Sequence, residues 1–82
     1  MEIKPLRLDL LKYLKNHNLA KKFDKQAKLF CQNPNYPSLK TEILEPKQFK
    51  IYSFRIDRKY RAVFGFINSD TIEVIDINLH YQ

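Results

Sequence analysis

The chain has 82 residues, enough for one domain with one modest core, so residues 1–82 read as a single unit. Apolar residues make up 44% and aromatic residues 13%, a globular balance, while fifteen Lys and Arg against nine Asp and Glu leave a formal charge of +6 that suits an anionic partner. One cysteine, Cys31, excludes an internal disulfide framework and fits a reducing cytosol; with only two histidines beside it, no structural zinc site or other metal is expected, and no stretch approaches the roughly 20 apolar residues that span a bilayer.

In chain order, Met1 to Lys4 reads as a short strand cut off by Pro5. From Leu6 onward Leu6, Leu10 and Leu14, with Leu11 beside them, recur at helical spacing until Asn16-His17-Asn18, which favours a turn. His17 has no partner pattern and reads as structural. A second helix is expected from about Leu19 to Gln32, with Ala20, Phe23, Ala27 and Phe30 on its buried face. Lys21, Lys22, Lys25 and Lys28 fall on its other face, where a charge run ordinarily means a solvated surface. Cys31 reads as a small apolar side chain of the same helix.

Asn33-Pro34-Asn35-Tyr36-Pro37 cannot continue a helix, since each proline lacks a donor and pushes the residue before it to extended angles. A loop then runs to about Phe49. Beyond it the pattern changes to period two with β-branched and aromatic residues, giving strands over Lys50–Ile56, Tyr60–Ile67 and Thr71–Asn78. The short connections Asp57-Arg58-Lys59 and Asn68-Ser69-Asp70 make both pairs antiparallel hairpins. The expected fold is α+β: two N-terminal helices on one face of a small antiparallel sheet, in the order β-α-α-β-β-β, with the other face free.

The segments Tyr36-Pro37-Ser38-Leu39-Lys40 and Ile51-Tyr52-Ser53-Phe54-Arg55-Ile56-Asp57-Arg58-Lys59-Tyr60-Arg61-Ala62-Val63-Phe64 resemble the central block of the RelE/ParE toxins. That block has a Pro-Ser-Leu-like loop, a strand ending near an arginine, a tight turn, and Tyr-Arg opening the next strand. The tail Ile75-Asp76-Ile77-Asn78-Leu79-His80-Tyr81 resembles the family's final strand, and its His-Tyr pair is like that of YoeB-type members. The likeness covers residues 34–81 and is vaguer over the helices, which match in order and length.

The resemblance implies the same α+β fold and a toxin silenced by an antitoxin, in a hetero-oligomer. It also implies a cytoplasmic endoribonuclease that cleaves messenger RNA on the ribosome without metal or cofactor, by attack of a ribose 2′-hydroxyl on the adjacent phosphate. Two further readings stay open. One is a ParE-like inhibitor of a protein such as DNA gyrase, without chemistry; the other is a degenerate module that only binds its antitoxin.

In-line cleavage needs a group to take the 2′-hydroxyl proton, positive donors for the charge growing on phosphate, and an acid for the leaving oxygen. A three-residue turn Asp57–Lys59 places Arg55 directly across from Arg61 on one sheet face; a two-residue turn would place Arg61 on the other. Two opposed guanidiniums repel, so the pair calls for an anion between them, either a phosphate or a nearby Asp or Glu. By the resemblance, Arg61 matches the position that stabilises the cleaved phosphate and Arg55 a less uniform one. His80 is then the proton carrier, and Tyr81 stacks on a base or bonds to phosphate. Lys40, Lys47 and Lys50 are candidate RNA contacts.

The pattern also departs from the family. Pro37 or Ser38 falls where YoeB-type enzymes carry a loop glutamate that serves as base, so Glu42 or Glu45 could replace it only if the loop folds back. Tyr52 and Phe54 occupy the stretch where RelE carries lysines.

Overall fold

A computed structural model describes residues 1–79. The elements in order are β1 (Glu2–Ile3), α1 (Leu8–Asn16), α2 (Ala20–Gln32), β2 (Glu42–Ile43), β3 (Tyr52–Arg55), β4 (Tyr60–Asn68) and β5 (Thr71–Leu79). Short 3-10 turns over Pro37–Leu39 and Lys47–Phe49 flank β2.

The helices and the three long strands fall where periodicity places them, but the sheet is larger than expected. It has five strands in the order β1-β5-β4-β3-β2. The expectation of a wholly antiparallel sheet is corrected at one edge, where β1 runs parallel to β5, Glu2 opposite Thr71 and Ile3 opposite Ile72. The α1–α2 segment carries the chain from β1 across to the far edge at β2, and the antiparallel strands β3, β4 and β5 step back until β5 lies beside β1.

Both helices cover one sheet face. Leu10 and Leu14 of α1, Leu19, and Phe23 and Phe30 of α2 meet Phe54, Ala62, Phe64, Ile72, Val74 and Ile77 of the sheet in one core. Phe30 stacks on Phe54 at 5.2 Å between ring centres and meets Phe64 edge-on at 5.1 Å, the offset and T-shaped geometries that aromatic quadrupoles favour. Of the expected apolar faces, Leu11 and Ala20 are exposed, and Leu19 takes the buried place at the start of α2.

The β4–β5 ladder is irregular at two places, between Val63 and Phe64 and between Phe66 and Asn68, and the first serves the core. The pairing steps from Val63–Asp76 to Phe64–Val74, so Ile75 is an extra residue in β5. This bulge lets Val74 and Ile77, three residues apart, both face the helices. The carbonyl of Ile75 accepts a hydrogen bond from Arg7 at 3.2 Å.

His17 follows α1 and has the structural place expected of it. Its ring stacks on Tyr13 at 4.0 Å between centres, and its Nδ1 donates to the Tyr13 carbonyl at 2.9 Å.

Candidate functional site

The β3–β4 connection fixes the geometry of the free face. Asp57 Oδ1 accepts from the backbone N–H groups of Lys59 and Tyr60, both at 2.8 Å, an Asx-type turn that holds the reversal. Ile56 N–H donates to the Tyr60 carbonyl at 2.9 Å, so Ile56 opposes Tyr60 and the turn proper is Asp57–Lys59. The three-residue alternative is therefore the one the chain adopts, and Arg55 lies directly across from Arg61. Phe54 and Ala62 point into the core, so both arginines leave the opposite face.

The two arginines differ in their surroundings. Arg61 is only 5% exposed. Its Nε donates to the buried Ser53 Oγ at 2.8 Å, its Nη2 donates to the Lys40 carbonyl at 2.6 Å, and the same nitrogen lies 3.6 Å from Glu42 Oε1. Burial pulls the guanidinium below its ordinary pKa, the Glu42 charge pushes it back up, and Arg55 lowers it again. An arginine so placed is still a cation at any pH at which the chain folds. Arg55 is half-buried and has no side-chain partner among the described residues.

Glu42 is the residue that the sequence named only conditionally. β2 pairs with β3 so that Glu42 opposes Ser53, on the face that carries Arg55 and Arg61. The loop does fold back, and the anion that the arginine pair calls for is supplied by the chain itself. Glu45 follows β2 and pairs with neither arginine.

The candidate contacts do not all converge. Lys40 follows the first 3-10 turn in a left-handed conformation, φ 45°, and contributes its backbone carbonyl to Arg61, while its side chain is exposed. Lys47 and Lys50 belong to the second 3-10 turn, at the start of β3, whereas Arg55 ends that strand. They are therefore not gathered with the arginines. His80 and Tyr81 lie outside the described residues; Leu79, the last described residue, sits opposite Tyr60 at the end of the sheet that carries the Asp57 turn.

Two polar residues that sequence reasoning missed hold this end together. Gln26 of α2 is buried, and its Nε2 donates to the carbonyls of Arg55, at 2.8 Å, and Ser38, at 3.2 Å. It ties the end of β3 and the Pro37–Leu39 turn to the helix layer. Ser53 is 1% exposed and accepts from Arg61. A polar residue on the apolar stripe of a helix, between Phe23 and Phe30, is the signal that could have found Gln26; Ser53, on β3, carries no such mark.

No family model matches the sequence, and no curated protein matches it. Solved structures do. A YoeB/ParE toxin from Agrobacterium tumefaciens superposes with a TM-score of 0.71 at 20% identity, covering 99% of this chain and 100% of that one. The chain has the YoeB/ParE fold. A YoeB–YefM complex from Staphylococcus aureus gives 0.69 at 24% identity, and a YoeB dimer from the same organism 0.66 at 23%, each covering 98% of this chain and 94% of that one.

Within this YoeB/ParE fold the free sheet face presents a half-exposed carboxylate, a half-buried guanidinium and a buried guanidinium as its floor. Chemically, such a set can accept a proton at Glu42 and stabilise negative charge growing beside Arg55 and Arg61.

Proposed function

We propose that the chain is the toxin of a toxin–antitoxin pair and acts in the cytoplasm as a metal-independent, ribosome-dependent endoribonuclease on messenger RNA. The observation that carries this reading is the placement of Glu42, Arg55 and Arg61 together on the free face of a YoeB/ParE fold. Glu42 takes the proton of the ribose 2′-hydroxyl, whose oxygen attacks the adjacent phosphorus. Arg55 contacts the phosphate directly, and Arg61 adds positive potential from beneath while holding Glu42 in place. His80 returns a proton to the departing 5′-oxygen, leaving a cyclic phosphate, and Tyr81 stacks on a neighbouring base. Lys40 is near enough for a phosphate contact, whereas Lys47 and Lys50 act only on RNA further along the strand.

An antitoxin would silence the site, as one is present in the Staphylococcus aureus YoeB–YefM complexes. A second reading, a ParE-like inhibitor of a protein such as gyrase, draws on one observation: Arg61 is satisfied by its own chain, through Ser53, Lys40 and Glu42. Primer extension on a defined message, with and without ribosomes, separates the two. Cuts that require ribosomes, and that vanish on adding the antitoxin, are the expected result. Growth arrest without any cut would overturn the nuclease reading in favour of the inhibitor.

A further inference from the structure

Gly65 is the only glycine of the chain and stands in the middle of β4. Inside a strand, glycine gives up packing and conformational stability that alanine would keep. Neither of the usual structural reasons for it applies here. Its φ is not positive, so no left-handed conformation requires it. A Cβ built on it would meet only Ile51 Cδ1, at 3.7 Å, an ordinary van der Waals contact, so no crowding requires it either. What the missing side chain does provide is close access to the backbone from outside.

The space above Gly65 has defined walls. Phe64 and Val74 point into the core, so the next pair, Gly65 and Glu73, leaves the opposite face, the one that carries Arg55 and Arg61. Phe64 also opposes Tyr52, a register that brings Ile51 beside Gly65 on its other side. The result is a slot with a bare backbone floor, one apolar wall from half-buried Ile51 and one carboxylate wall from half-buried Glu73. Lys4 Nζ lies 3.6 Å from Glu73 Oε2, which leaves Oε1 without a partner among the described residues. Arg61 is four residues back on the same strand and face, about 13 Å away.

A flat group that can lie on such a floor, pack its face against a branched aliphatic and turn N–H donors to a carboxylate is a nucleobase with an exocyclic amine. We propose that this slot seats one base of the message beside the cutting site, and that Glu73 selects an amino-bearing base by accepting its hydrogen bond. The proposal rests on the function given above, which puts RNA on this face. Cytosine and uracil have nearly the same shape, but uracil presents a carbonyl where cytosine presents its amine. A carbonyl against the Glu73 carboxylate sets two acceptors face to face, so uracil is disfavoured.

The test uses short oligomers of 2′-deoxycytidylate and 2′-deoxyuridylate, which lack the attacking hydroxyl and are not cut. Each is titrated into the whole chain, and binding is followed through the backbone amide resonances of Phe64, Gly65 and Phe66. Both oligomers carry the same phosphates, so a difference between them reads the base. The parent should bind the cytidylate oligomer about tenfold more tightly. Glu73→Gln, whose amide donates as well as accepts, should bind both alike. Gly65→Ala should unfold at the parent's denaturant midpoint or above it and keep only part of the preference, and Gly65→Val, which fills the slot, should lose it. Equal binding by the parent, an undiminished preference in Glu73→Gln or in both Gly65 variants, or a lower unfolding midpoint in Gly65→Ala would each overturn the proposal. Cutting of message by a parent without the preference would sink the slot alone, whereas the preference in a parent that cuts nothing would sink only the nuclease reading.

Discussion

Arg55 and Arg61 face each other across two strands, yet they do different work. Arg61 is enclosed by Ser53, the Lys40 carbonyl and Glu42, and it connects β4 to the edge of the sheet and to the loop that precedes it. Removing it strands a buried hydroxyl and a carbonyl and leaves a gap. Arg61→Ala should therefore lower the unfolding free energy by about 1–3 kcal/mol in a denaturant titration. Arg55→Ala should stay within about 0.5 kcal/mol of the parent, because its side chain has no partner to lose. Equal destabilisation by the two would contradict the division between a structural and a working guanidinium. A loss of cleavage in Arg61→Ala would accordingly combine lost charge with a displaced Glu42.

At the scale of elements, the Asp57 turn sets the register on which the site depends. Partial burial pushes the Asp57 carboxyl up, but backbone N–H donors from Lys59 and Tyr60, with help from Lys22, outweigh it and hold the group below its ordinary pKa. A carboxyl lowered in the folded state stabilises the fold above its ordinary pKa of 3.8, and that contribution disappears as the pH falls through the lower folded value. Asp57→Ala should cost about 1 kcal/mol at neutral pH and make unfolding less dependent on pH in the acid range. An unchanged acid titration of stability in Asp57→Ala would show that the turn does not depend on this carboxylate.

The same scale explains what could be read in the sequence. Repeating periods over Leu10–Leu14, Phe23–Phe30 and the three longer strands located the helices and strands, because each buries one face in one core, whereas the opposed arginines followed only if the turn held three residues, which the Asp57 hydrogen bonds decide. β2 was illegible: two residues, Glu42–Ile43, contain no period, and their pairing with Ser53 and Tyr52 exists only once β3 is in place. The parallel pairing of β1 is similarly non-local, since Ile3 meets Ile72 across most of the chain. Glu42 could be named from sequence only as an acid that a folded-back loop would deliver, and Gln26 only as an anomaly on an apolar stripe.

At the scale of the whole molecule, the chain carries a formal excess of six positive charges. Attraction of an RNA would be long-range and screened by salt, so salt should weaken capture more than it slows cleavage of message already in place, which binding and single-turnover cleavage measured over a salt series would check. The two sheet edges, β1 and β2, are each two residues long, which limits strand-to-strand pairing with other chains.

Cleavage of ribosome-bound message by folded Glu42→Gln and Arg55→Ala, beside the parent, tests the sheet-face site most directly. Glu42→Gln keeps the shape but removes the proton acceptor, and should slow cutting by about 10²–10⁴-fold. Arg55→Ala should slow it by about 10²–10³-fold while the protein stays folded. Parent-like cutting by both variants would contradict the assignment of the site to the Glu42–Arg55–Arg61 face.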